Sequence, residues 1–150
     1  MATLLRNKRA LFDYEILETF RAGIFLAGKE VKSLKNKRGR LEGSYAHIQR
    51  EELYLINFSI PVYQPKNVLG QVESDRTRKI LLRKKEIKSL IGKIKEKKLT
   101  LLPLRIFTAK GKIKIELGLG KGKRKIDKRE TIKKRESDIE MERAMKKLAF

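Results

Sequence analysis

The chain has 150 residues, with 39 Lys+Arg against 18 Asp+Glu, a formal charge of +21 and no cysteine. That length allows one domain with a real core plus a tail, and the missing thiols exclude disulfides, a thiolate nucleophile and cysteine-ligated zinc. The field favours polyphosphate partners through counterion release; heat-tolerant proteomes also carry lysine-rich surfaces, but they raise both signs of charge.

Residues 1–10 read as a short basic arm (Arg6, Lys8, Arg9) with little to bury. Two runs, 14–20 and 23–28, predict a hairpin broken near Arg21-Ala22-Gly23. Val31 and Leu34 lie three apart within 29–37 and predict a short helix ending before Gly39. A second hairpin is expected from 44–49 and 53–60, closed by Pro61 and Pro65, with a loop running to Ser74. The clearest helix spans 84–98, where Ile87, Leu90, Ile91 and Ile94 form one apolar face. A third hairpin joins 99–108 to 112–119 across Ala109-Lys110-Gly111. In its last strand Ile113, Ile115 and Leu117 point to one face, Lys112, Lys114 and Glu116 to the other. Six strands in three hairpins, with helices as plugs, predict a mainly β, OB-like antiparallel barrel over 1–120. Residues 121–150 form a basic tail.

No catalytic motif accompanies this pattern. The single histidine, His47, sits in a strand-like run, and no Gly-x-Ser-x-Gly elbow, Walker loop or His-Glu-x-x-His occurs. Gly118-Leu119-Gly120-Lys121-Gly122 lacks the spacing of a dinucleotide loop. No apolar run is long enough to span a membrane and no signal peptide is visible. The expectation is a cytosolic, monomeric binding protein without cofactor or metal.

Two segments concentrate cations. Between Arg76 and Lys85 there are six Lys/Arg; Arg76, Arg78 and Lys79, around Thr77, are spaced to engage successive phosphates, and Arg83 is a further candidate for RNA contact. Between Lys121 and Glu136, nine Lys/Arg stand against three acids in sixteen residues, including Lys121, Lys123 and Arg124. This second stretch has too little to bury to order itself, so it is expected to be disordered when free. Asp127 and Glu130 have capping-box spacing, and the pairs Glu130–Lys134 and Glu142–Lys146 support a helix. Lys128 and Arg129 in its first turn oppose the helix dipole, which makes sense if an anion docks there. Aromatics are few, which favours structured RNA over a stacked single strand.

The order and spacing of several short motifs resemble the SmpB family. They are Asn7-Lys8-Arg9-Ala10 with Asp13-Tyr14; Phe20-x-Ala22-Gly23 followed by 28–34 (GKEVKSL); 75–82 (DRTRKILL); 114–118 (KIELG); 120–123 (GKGK); and Asp127-Lys128-Arg129. The resemblance implies an OB-like barrel that binds the tRNA-like domain of transfer-messenger RNA one to one. It also implies a tail that becomes helical in the small-subunit decoding centre and messenger channel of a stalled ribosome. By position, Asn7, Tyr14, Glu30, Lys32, Arg76, Leu81, Lys114 and Gly122 would face the RNA. Asp127, Lys128 and Arg129 would act at the decoding centre, and Lys133, Lys134 and Arg135 along the channel. Three residues depart from the family pattern: Arg21 replaces an expected acid, Arg83 a neutral polar residue, and Ile126 a His or Tyr. A structural ribosomal protein has the same composition and is the alternative reading. An RNA-modifying enzyme is disfavoured by the lone histidine and the missing cofactor loop.

Overall fold

The computed structural model describes residues 2–63, 71–123, 134–136 and 139–141. Its elements in order are β1 (Ala2–Arg6), α1 (Lys8–Asp13), β2 (Tyr14–Ile24), α2 (Gly28–Lys35), β3 (Tyr45–Gln49), β4 (Glu52–Ile56), β5 (Ile60–Tyr63), β6 (Gln71–Ser74), β7 (Arg78–Leu81), α3 (Lys84–Lys97), β8 (Thr100–Ala109) and β9 (Lys112–Gly122). Seven strands make one antiparallel sheet in the order β1-β8-β9-β2-β7-β4-β3, and β5 pairs with β6 in a small second sheet. The large sheet is not closed by a hydrogen-bonded seam, but it curls so that β3 returns toward β8 with α3 beside them. The expected mainly β, barrel-like class is therefore the observed one, with nine strands among the described residues instead of about six.

The core fills the inside of this curl. Leu53, Leu55, Ile80, Ile106, Ile115, Leu117 and Leu119 are almost fully enclosed. On α3 the 3.6-residue spacing buries Ile87 and Leu90, each contributing about 1.5–3 kcal/mol on full burial. The helix ends at Lys98 in a left-handed conformation, its N–H bonded to the Ile94 carbonyl. The β8–β9 turn has positive φ at Lys110 and Gly111, the geometry that matches strand twist in a two-residue hairpin.

Three sequence expectations are corrected. The amino-terminal arm is β1 and α1: β1 pairs with β8, and Ala10 packs with Leu102 and Leu104 in a small satellite core. The break at Arg21-Ala22-Gly23 does not occur; β2 runs through it to Ile24, because Gly23 is paired with Leu81 on one side and Lys114 on the other. Pro61 does not end a hairpin but lies in β5, in a two-stranded sheet where a missing N–H is tolerated. Among the described residues, no helix is long and apolar enough to cross a membrane.

Candidate nucleic-acid interface

Strand alternation sorts the cations onto one face. Ala22 and Ile24 of β2 enter the core, so Arg21, Gly23 and Phe25 face outward. Register places Lys114 of β9 and Leu81 of β7 on either side of Gly23. A β-carbon at Gly23 would come within 3.3 Å of the Leu81 Cβ, so the glycine lets Leu81 lie across the strand. Leu81 is 49% exposed and Phe25 64% exposed. A cleft of about 450 Å³ opens here, with Gly23, Leu26, Val31, Leu81, Lys112 and Lys114 in its lining. An apolar floor beneath two lysines can seat a sugar–phosphate segment, the lysines acting as point charges.

Behind the cleft, α2 and the 74–78 segment are locked together by Glu30. Its Oε1 accepts from the Ala27 N–H at 2.9 Å and from Arg76 Nε at 3.1 Å, and its Oε2 accepts from Arg78 Nε at 2.6 Å. Burial pushes the carboxyl upward, but the bonds from Arg76, Ala27 and Arg78 outweigh this and hold it below its ordinary range. Arg78 is fully enclosed. Its remaining donors reach the carbonyls of Phe58, Arg76 (3.1 Å) and Ser74 (2.8 Å), and its guanidinium lies 5.2 Å from the Phe58 ring centre. Arg76 keeps 43% of its side chain exposed, so one arginine of the pair displays its charge and the other is spent on the fold.

A second group gathers at the far end of the same strand pair. Asn7 caps α1, its side chain accepting from the Ala10 N–H at 3.2 Å and donating to the Pro103 carbonyl at 2.9 Å. Tyr14 pairs with Gly122 and packs on the satellite core. Lys123 is fastened beside them: its N–H donates to the Asp13 carbonyl at 2.9 Å and its Nζ to the Leu11 carbonyl at 3.2 Å. From Lys114 to Gly122 is eight residues of strand, about 27 Å at 3.4 Å per residue. The cleft and the start of the basic tail thus lie at opposite ends of β9.

A family model described as SmpB protein matches residues 4–147. The chain belongs to the SmpB family. It is 44% identical to the SsrA-binding protein of Thermosipho africanus over 148 residues, covering 98% of this chain and 99% of that one. It is 45% identical to the SsrA-binding protein of a Nostoc species over 140 residues, covering 93% and 90%. A solved chain described by the words "tmRNA-SmpB: a journey to the center of the bacterial ribosome" is 46% identical, with a TM-score of 0.65, covering 85% of this chain and 93% of that one.

Within this SmpB-family fold, the residues singled out from sequence are spread over several places. Leu81, Lys112 and Lys114 meet at the cleft, with Lys32 exposed on α2 and Arg76 and Thr77 exposed on the adjoining loop. Lys8, Arg9, Lys121 and Gly122 are exposed at the other end, where Arg9 also sits 3.5 Å from Asp13. Arg83 is exposed at the amino end of α3. Lys79 is exposed but bonded to Glu52, whose carboxyl Tyr54 and Lys79 together hold low.

The structure corrects three of these sequence expectations. Arg78, Glu30 and Asn7 are buried with their polar atoms bonded within the protein, so they shape the surface without lying on it. Arg124, Asp127, Lys128, Arg129 and Lys133 fall outside the described residues; Lys134 and Arg135 are exposed on helical backbone. Sequence reading missed Gly23 and Phe25. A glycine inside a strand pattern, a mark of close approach, was the available signal for the first.

Proposed function

We propose that this chain is the RNA-binding adaptor of trans-translation. In this reading it binds the tRNA-like domain of transfer-messenger RNA, stands in for an anticodon arm and brings that RNA to stalled ribosomes. The observation that carries the reading is family membership across nearly the whole chain, joined to a cationic cleft and a basic tail at opposite ends of one strand pair. An adaptor needs those two separate ends. Leu81, Lys112, Lys114, Lys32 and Arg76 are assigned to the RNA body, with Phe25 and Gly23 shaping their floor.

The tail is assigned to the ribosome; because β9 holds Lys121 and Gly122 and Lys123 is bonded to the body, that assignment covers residues 124–150 of the expected 121–150. Asp127, Lys128 and Arg129 are to act in the decoding centre and Lys133, Lys134 and Arg135 along the empty messenger channel. Helical backbone with exposed side chains at 134–136 supports a helix that lies on RNA. The protein itself carries out no covalent step in this reading.

A competition assay tests it. Labelled transfer-messenger RNA bound to the full-length protein at physiological salt is challenged with excess tRNA and with generic duplex RNA. Retention of the labelled RNA is the expected result. Equal displacement by all three would reduce the charge to nonspecific binding and move the structural ribosomal protein to the front.

A further inference from the structure

Across the β8–β9 tip from the Leu81 cleft lies a second hollow of about 580 Å³, lined by Arg21, Phe107, Ala109, Lys110, Lys112 and Lys114. Ile106 enters the core, so Phe107 faces the opposite side of β8. Its ring has Arg105 at 4.5 Å and Arg21 at 5.6 Å from the centroid. Arg105 is neutralised by Glu116 and held by the Thr3 hydroxyl at 2.9 Å. Among the described residues, Lys110, Lys112 and Lys114 have no carboxylate within 4.0 Å. Five cations therefore surround one acid on a few strand residues. Like charges held this close repel one another, and a bound polyanion removes the repulsion.

We propose that Arg21, Lys110, Lys112 and Lys114 form a second seat for the RNA backbone, so that a structured RNA straddles the β8–β9 tip with phosphates on both sides. The inference rests on the adaptor reading above and deepens it. Lys112 and Lys114 line both hollows, which makes the two seats continuous. Arg21 has its guanidinium over the Phe107 ring, 5.6 Å from the centroid, at the lining of the hollow, where phosphate oxygens would meet it. The seat reads no bases, because three lysines and one arginine aimed at the backbone recognise charge and spacing alone.

The test uses the full-length protein and transcribed transfer-messenger RNA, with dissociation constants measured across a potassium chloride series. Arg21→Glu with Lys110→Glu should weaken binding about tenfold or more at physiological salt and lower the salt slope by about one to two. Lys88→Glu with Lys97→Glu, exposed on α3, is the charge-matched control and should leave the slope unchanged. Since Arg21 stands opposite Glu116, Arg21→Gln with Lys110→Gln supplies a variant without a new repulsive pair; melting curves confirm that each variant is folded. Slopes equal to the control in both double variants would overturn the second seat and leave the adaptor reading standing. A wild-type protein that does not prefer transfer-messenger RNA over tRNA would overturn both.

Discussion

Glu30 and Arg78, separated by 48 positions in the chain, form a buried ion pair that ties α2 to β7. Such a pair is costly to assemble and more costly to break, since either partner left alone is a charge without water. Removing one side should therefore cost about 3–5 kcal/mol. Arg78→Ala or Glu30→Ala should lower the denaturation midpoint far more than Arg76→Ala, whose side chain is half exposed. Urea titration followed by circular dichroism measures the difference. Equal losses for Arg76 and Arg78 would contradict the division between a displayed and a buried arginine.

The same pair sets an acid limb. The Glu30 carboxyl is held below its ordinary 4.5, so its contribution to stability is full above that value and is lost as pH falls through the lower folded-state value. Stability of the wild type should decline below about pH 4.5. Glu30→Gln should be less stable at neutral pH and show a flatter profile in acid, as read from denaturant midpoints at each pH.

Arg76→Gln should weaken RNA binding several-fold and, because Arg76 also bonds the buried Glu30 carboxylate, lower the melting temperature by less than Arg78→Ala does. Leu81→Ala and Lys114→Glu should also weaken binding, with little change in melting temperature, because both side chains are at least partly exposed at the cleft. Filter binding against transfer-messenger RNA, paired with thermal melts, separates these surface variants from Arg78→Glu, which should fail to fold. Unchanged affinity in all three would remove the cleft from the interface.

The glycines of β9 predict opposite outcomes. At Gly118 an added β-carbon would lie 2.8 Å from Leu104 Cδ1 and 3.1 Å from Ile16 Cγ2, so Gly118→Ala should destabilise by about 1–3 kcal/mol through overpacking. At Gly122 nothing lies within 4 Å, so Gly122→Ala should fold normally. If Gly122→Ala loses RNA affinity, the glycine serves the approach of the partner; unchanged affinity would make it dispensable.

Truncation after Lys123 retains the bonds from Lys123 to Asp13 and Leu11. The shortened protein should bind transfer-messenger RNA with near-normal affinity and fail to support tagging of a stalled chain in a reconstituted translation system. Tagging at wild-type levels would show that the tail assignment is wrong.

Much of this protein follows from patterns that are local in sequence. The apolar stripe of Ile87, Leu90, Ile91 and Ile94 specifies α3 almost to the residue, because helix amphipathicity has a period that any core must satisfy. The β8–β9 hairpin is legible for the same kind of reason: alternation on two strands and a turn that needs left-handed backbone. Ordered short motifs were enough to indicate the family. The charge of +21 pointed to a polyanion because composition does not depend on folding.

Burial of a charge does not follow from such patterns. Arg76 and Arg78 look alike in sequence, two arginines in one basic run, yet one faces solvent and the other lies under Phe58, held by the Phe58 carbonyl and the Glu30 carboxylate from elsewhere in the chain. Gly23 reads as a turn until β7 and β9 arrive on its two sides and Leu81 packs so close that a β-carbon would crowd it. Sequence alone determined α3, the β3–β4 and β8–β9 hairpins, the family and the sign of the partner's charge. Tertiary structure decided which cations remain to meet that partner, because solvation and hydrogen-bond satisfaction are set by neighbours from elsewhere in the chain.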